Sequence, residues 1–141
     1  MSFSVYALLG KESPDLSNES LADELVIFFE NQDEFSLQFE RLPFSSTQTL
    51  ALRWDGWLTS VAYEEGEYVR NDSIEIKKIL GDKAPNDISQ IDKRIRVVFS
   101  DDDSLEHTNH IIYVLDFLRG IKGILIFDPT QKDLIASNEP V

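Results

Sequence analysis

Four aspartates and two histidines are the residues of this sequence whose types and spacing suit chemistry. Asp101, Asp102 and Asp103 follow the apolar run Ile95–Phe99, and Asp128 follows the run Ile124–Phe127. If both runs are strands pointing the same way, their carboxylates gather at one sheet edge, where open α/β sheets bind ligands. Hard cations such as Mg2+ and Ca2+ take oxygen ligands of this kind. Glu106, His107 and His110 stand where the next helical pattern begins, and the two histidines, three residues apart, share a helical face. Asp101, Asp103, His107 and Asp128 are thus the candidate set for a metal-dependent enzyme or a metal-binding protein. A plainer reading competes. Aspartates ahead of a helix accept hydrogen bonds from its free N–H groups, and a residue before proline, as in Asp128-Pro129, is an ordinary strand exit. No metal-ligand spacing motif is matched, so no cofactor is expected.

Nucleophilic chemistry has still less to stand on. No serine lies in Gly-x-Ser-x-Gly, Gly120-Ile-Lys-Gly123 is a helix stop and strand start, and cysteine is absent. The expectation is a protein that is not an enzyme.

Charge is the stronger signal. With 26 acidic and 13 basic side chains the net charge is -13. Between Glu12 and Glu40 lie nine carboxylates and no Lys or Arg. A field of that sign repels nucleic acid and steers basic proteins. Glu64, Glu65 and Glu67 form a second acidic group beside Tyr68, while residues 77 to 96 lean basic through Lys77, Lys78, Lys83, Lys93, Arg94 and Arg96. Trp54 and Trp57 flank Asp55-Gly56, either capping the core or turning one ring outward as an interface anchor.

The elements that position these residues follow from periodicity. Phe3 to Leu9 reads as a strand covered on both faces. Ser17 or Asn18 caps a helix with Leu21, Leu25, Phe28 and Phe29 inward and Asp23, Glu24 and Glu30 outward. Phe35, Leu37 and Phe39 alternate as a strand, followed by a loop through Pro43-Phe44. Leu50–Trp54 and Trp57–Tyr63 form a hairpin, because Asp-Gly supplies two positive-φ positions. Asn71 or Asp72 opens a second helix ending at Gly81, Ile88 and Ile91 sit in a short helical turn, and a third helix spans about Leu105 to Arg119. The order β-α-β-β-β-α-β-α-β makes an α+β two-layer sandwich with a mixed, mostly antiparallel sheet and about three helices, mostly on one face. A single domain over 1–135 and a frayed tail over 136–141 are expected. The N-terminus lacks a signal-like pattern and no run reaches membrane-spanning length, so a soluble cytoplasmic chain with no membrane partner is expected.

In its size, lack of cysteine, acid-rich faces and missing catalytic motif, the chain resembles the immunity proteins that bacteria encode beside polymorphic toxins of contact-dependent inhibition and type VI secretion. Those families commonly block a basic nuclease by presenting carboxylates to its nucleic-acid-binding surface. The resemblance implies Asp23, Glu24, Glu30, Glu64, Glu65 and Glu67 as contacts to a basic toxin domain, with Trp57 and Tyr68 as anchors. A third possibility is a structural subunit, monomer or homodimer, whose exposed hairpin edge pairs with a copy of itself.

Overall fold

Seven strands form one antiparallel sheet in the order β2-β3-β4-β5-β1-β6-β7, in a computed structural model that describes residues 3–41 and 48–137. The strands are β1 (Phe3–Leu9), β2 (Phe35–Arg41), β3 (Gln48–Trp54), β4 (Trp57–Glu65), β5 (Lys93–Phe99), β6 (Ile124–Asp128) and β7 (Asp133–Ser137). The helices are α1 (Asn18–Phe29), α2 (Glu67–Leu80) and α3 (Thr108–Arg119), with short 3-10 helices at Gly81–Lys83 and Asn86–Gln90. The fold is α+β, and the element order is the expected one up to β6. The loop through Pro43-Phe44 lies outside the described residues, as do 138–141 of the expected tail.

Strand alternation divides the interior in two. Val5, Ala7 and Leu9 of β1 face one side, where they meet Leu21, Leu25 and Phe29 of α1 and Val114 and Leu118 of α3. Leu8 faces the other, joining Leu125 and Phe127 of β6, Ile76 and Leu80 of α2, Ile88 of the second 3-10 helix and Ile91 just after it. Two helices therefore share a face and α2 covers the opposite one. Because β1 and β6 are clad on both sides, they are apolar almost throughout.

Local chemistry fixes the joints. Ser17 caps α1: its hydroxyl accepts the Ser20 N–H, and the Ser20 hydroxyl accepts the Ser17 N–H. Asn18 then ties the helix start to the sheet, accepting from the Tyr63 N–H and donating to the Gln48 carbonyl. In the hairpin, Asp55 and Gly56 take φ of 50° and 83°, the paired positive values that an Asp-Gly turn supplies. Gly10 packs on Gly123 so closely that a Cβ at Gly10 would stand 2.9 Å from the Gly123 carbonyl oxygen.

Three boundaries differ from expectation. Helix α2 begins at Glu67, not Asn71 or Asp72, because Gly66, at φ 126°, breaks β4 and lets the helix start directly. Helix α3 begins at Thr108: Asp102 accepts the His107 N–H and Leu105 takes φ 61°, so a turn occupies the residues before it. Residues 133–137, where no strand is expected and whose last two fall in the expected tail over 136–141, pair with β6 across a register shift between Ile126 and Phe127. Phe28 also differs. The inward row is set by Leu21, Leu25 and Phe29 at i, i+4, i+8, which leaves Phe28 about 100° round the helix from Phe29, half exposed and against Phe117.

Candidate functional site

Strands β5 and β6 do run in the same direction, since both pair antiparallel with β1. Yet β1 lies between them, so their ends are separated by two strand spacings, roughly 10 Å, and the expected carboxylate cluster does not form. Among the described residues no group of three His, Asp or Glu side chains could hold a metal ion. Asp128 is buried and accepts the Thr130 and Gln131 N–H groups in the turn to β7. Asp102 holds the His107 N–H. Asp101 contributes its carbonyl to the Trp57 indole N–H at 3.0 Å, and Asp103 is exposed in the same loop.

What does form beside this loop is a stack of imidazoles on indoles. His107 lies parallel to Trp57 with ring centroids 4.7 Å apart, and His110 lies on Trp54 at 4.9 Å. The two imidazole Nδ1 atoms are 3.0 Å apart, so one ring donates and the other accepts. Trp57 is thus an interior ring and not an outward anchor; both indoles cap the core. The signals are visible separately in the sequence, as a Trp pair across an Asp-Gly turn and a His pair at i, i+3, but nothing local joins two segments so far apart in the chain.

Burial lowers the His110 pKa below its ordinary 6.5, His107 lowers it further, and Asp102 partly opposes them. A histidine held neutral in the fold favours the native state fully above the unfolded pKa. That stability is lost as pH falls from about 6.5 toward the lower folded value, because the unfolded chain takes the proton first. Thermal melts should therefore show the melting temperature dropping as pH falls through and below about 6.5. His110→Phe keeps a ring on Trp54 and should flatten that drop. Identical pH slopes for the two proteins would rule out His110 as the source.

The acidic residues sort differently in space than in sequence. Strand register sets Glu64 opposite Arg94 and Glu65 opposite Lys93. Glu64 is only 8% exposed; it accepts from Arg94 Nε at 2.9 Å and lies 3.7 Å from Arg96. Arg94 also donates to Asp72 at 2.7 Å and sits 4.5 Å over the Tyr6 ring. Burial opposes its charge, but the bonds to Asp72 and Glu64 prevail and raise its pKa. Glu65 accepts from the Tyr63 hydroxyl at 2.8 Å; burial first, then that bond, pushes the Tyr63 phenol up. Glu67 is exposed in the first turn of α2, and Tyr68 is half exposed, its ring 5.8 Å from the Arg94 guanidinium. Burial raises the Tyr68 phenol as well.

The basic segment is engaged in the same way. Lys77 donates to the Gly81 and Ala84 carbonyls, Lys78 pairs with Glu75, and Lys93 pairs with Asp15. Across β4, β5 and α2, Glu64 is thus matched by Arg94 and Arg96, and Asp72 by Arg94. By contrast Asp23 and Glu24 on α1 and Glu30 at its C-terminal cap are all exposed, with no ion pair among the described residues. The hairpin offers no free edge either: β2 covers β3 and β5 covers β4, so the sheet edges are β2 and β7. None of the described helices is long and apolar enough to cross a membrane. No known protein family, curated protein or solved structure matches the chain.

Proposed function

We propose that this protein is a non-enzymatic binding module that takes a basic protein on the acidic face of α1, as an inhibitor or immunity protein neutralising a cationic effector such as a nuclease toxin. The observation that carries this reading is the uneven charge compensation. Glu64 and Asp72 are held by Arg94, whereas Asp23, Glu24 and Glu30 project from one helix, exposed and without an Arg or Lys partner among the described residues. Unpaired surface carboxylates raise association rates with a cationic partner and set its orientation. The resemblance to immunity proteins in size and charge points the same way.

Capture from host lysate, together with coexpression with the product of an adjacent gene, should recover a basic protein. Its association rate should fall roughly tenfold or more when Asp23, Glu24 and Glu30 are all changed to Lys. Circular dichroism would verify that the reversed protein is folded, as expected for three exposed positions. Failure to recover a basic partner, or an association rate indifferent to the reversal, would overturn the reading.

A further inference from the structure

Beside the acidic face runs an apolar groove. Glu24, Ile27 and Phe28 of α1 form one wall, Asp116 and Phe117 of α3 the other with Gly120 at its end, and the space between is about 330 Å³. Ile27 is 69% exposed and Phe28 49%, and Phe28 meets the edge of Phe117 with ring centroids 5.4 Å apart. Tyr113, one turn before Phe117 on the same side of α3, is also exposed and lengthens the apolar strip. An apolar surface of this kind, rimmed by charge, has the composition of a contact site.

The rim says what fits it. Asp23, Glu24 and Glu30 are the i−4, i−3 and i+3 neighbours of Ile27, so the most exposed apolar side chain of α1 is ringed by carboxylates. On the far wall Asp116 is paired with Arg119 at 3.1 Å, so the uncompensated charge lies on the α1 side. An anionic lipid surface would be repelled by that ring. A second copy would bring the same carboxylates to the interface and a second net charge of -13. A helix with an apolar stripe flanked by Lys or Arg meets neither penalty.

We propose that the α1–α3 groove docks a cationic amphipathic helix of the partner, with its apolar anchor over Ile27, Phe28 and Phe117 and its basic side chains against Asp23, Glu24 and Glu30. This rests on the reading that the α1 acids meet a basic protein, and it adds the apolar half of the contact.

The test uses two synthetic peptides of one composition, a lysine-flanked leucine-stripe helix and a scrambled isomer without a stripe, titrated against the protein by fluorescence anisotropy. The striped peptide should bind at least about tenfold more tightly, the equivalent of one buried apolar side chain. Ile27→Gln should remove that advantage. Gly120→Leu should do the same by filling the groove: Gly120 has ordinary helical φ, and a Cβ there meets only α3 backbone, the Phe117 carbonyl oxygen at 3.4 Å being nearest. Both variants should leave the scrambled isomer's affinity unchanged. Equal binding of the two peptides, or no response to Ile27→Gln, would overturn the groove while leaving charge-driven binding in place. Affinity for both peptides that ignores reversal of Asp23, Glu24 and Glu30 would instead strike the acidic reading itself. A dimer in sedimentation that Ile27→Gln dissolves would assign the groove to a second copy and overturn the proposal.

Discussion

Arg94→Met is expected to destabilise the protein by roughly 3 kcal/mol, the low end of what breaking a buried ion pair costs. Arg94 is the hinge of a network: Glu64 accepts from its Nε and Asp72 from an Nη, and its guanidinium lies over Tyr6. Removing it leaves Glu64 desolvated, with Arg96 at 3.7 Å as the remaining cation. That partner holds the cost near the bottom of the range. The conservative change Arg94→Lys should avoid only part of the loss, because one ammonium cannot reproduce a fork that serves two carboxylates at once. The double change Glu64→Leu with Arg94→Met should recover much of the stability, since apolar replacements of a buried pair are often neutral or better. Urea melts of the parent, the two single variants and the double variant form a double-mutant cycle that measures the coupling. Additive losses would mean that the pair is not a unit. The same cycle bears on function: if Glu64 acts within this network, its replacement should lower stability, and binding should weaken only in proportion to the unfolded fraction.

Trp54→Ala should cost about 3–5 kcal/mol, the range for emptying a large aromatic site in a packed core. Trp54 is 1% exposed. Phe29 of α1 meets it edge-on at 5.2 Å, Phe35 of β2 lies at 5.2 Å, and His110 of α3 stacks on it at 4.9 Å. Its indole N–H donates to the Gln32 side chain at 2.9 Å. One ring therefore joins the end of α1, the edge strand, the hairpin and the start of α3. Trp54→Phe keeps much of the packing but strands the Gln32 acceptor beside a half-buried site, so it should cost markedly less, on the order of 1–2 kcal/mol. Chemical denaturation followed by circular dichroism gives both values. Equal losses for the two variants would show that the hydrogen bond, not the packing, dominates. Because Phe29 lies next to Phe28 and Glu30 in the chain, loosening Trp54 should also raise amide exchange at the end of α1, next to the proposed contact face.

Much of the fold was legible from residue spacing. The Asp-Gly turn set the hairpin register, Trp54 opposite Trp57, because few residue pairs accept two positive φ values. The Leu21, Leu25 and Phe29 row set the inward face of α1, and Gly81 ended α2 at φ 59°. The start of α2 escapes such a reading because Glu67 and Tyr68 look like a continuation of the acidic strand exit, and only the backbone of Gly66 marks the break. Strand β7 escapes it because Asp133–Ser137 is short and its pairing with β6 is irregular. The candidate site was less legible still. Glu64 and Arg94 carry opposite charges 30 residues apart, and no local pattern says that they face one another.

By itself the sequence determined the elements up to β6, the α+β class and the total charge, all of which depend on local periodicity or simple composition. Tertiary structure alone decided which charges remain unmatched. Inserting β1 between β5 and β6 separated Asp128 from Asp101 and Asp103, and the β4–β5 register matched Glu64 to Arg94. Pairing is set by which strands lie side by side, and strand order is a global outcome of burying both faces of β1. For that reason Glu64 of the second acidic group is matched in space, whereas Asp23, Glu24 and Glu30 stay exposed and unmatched around Ile27.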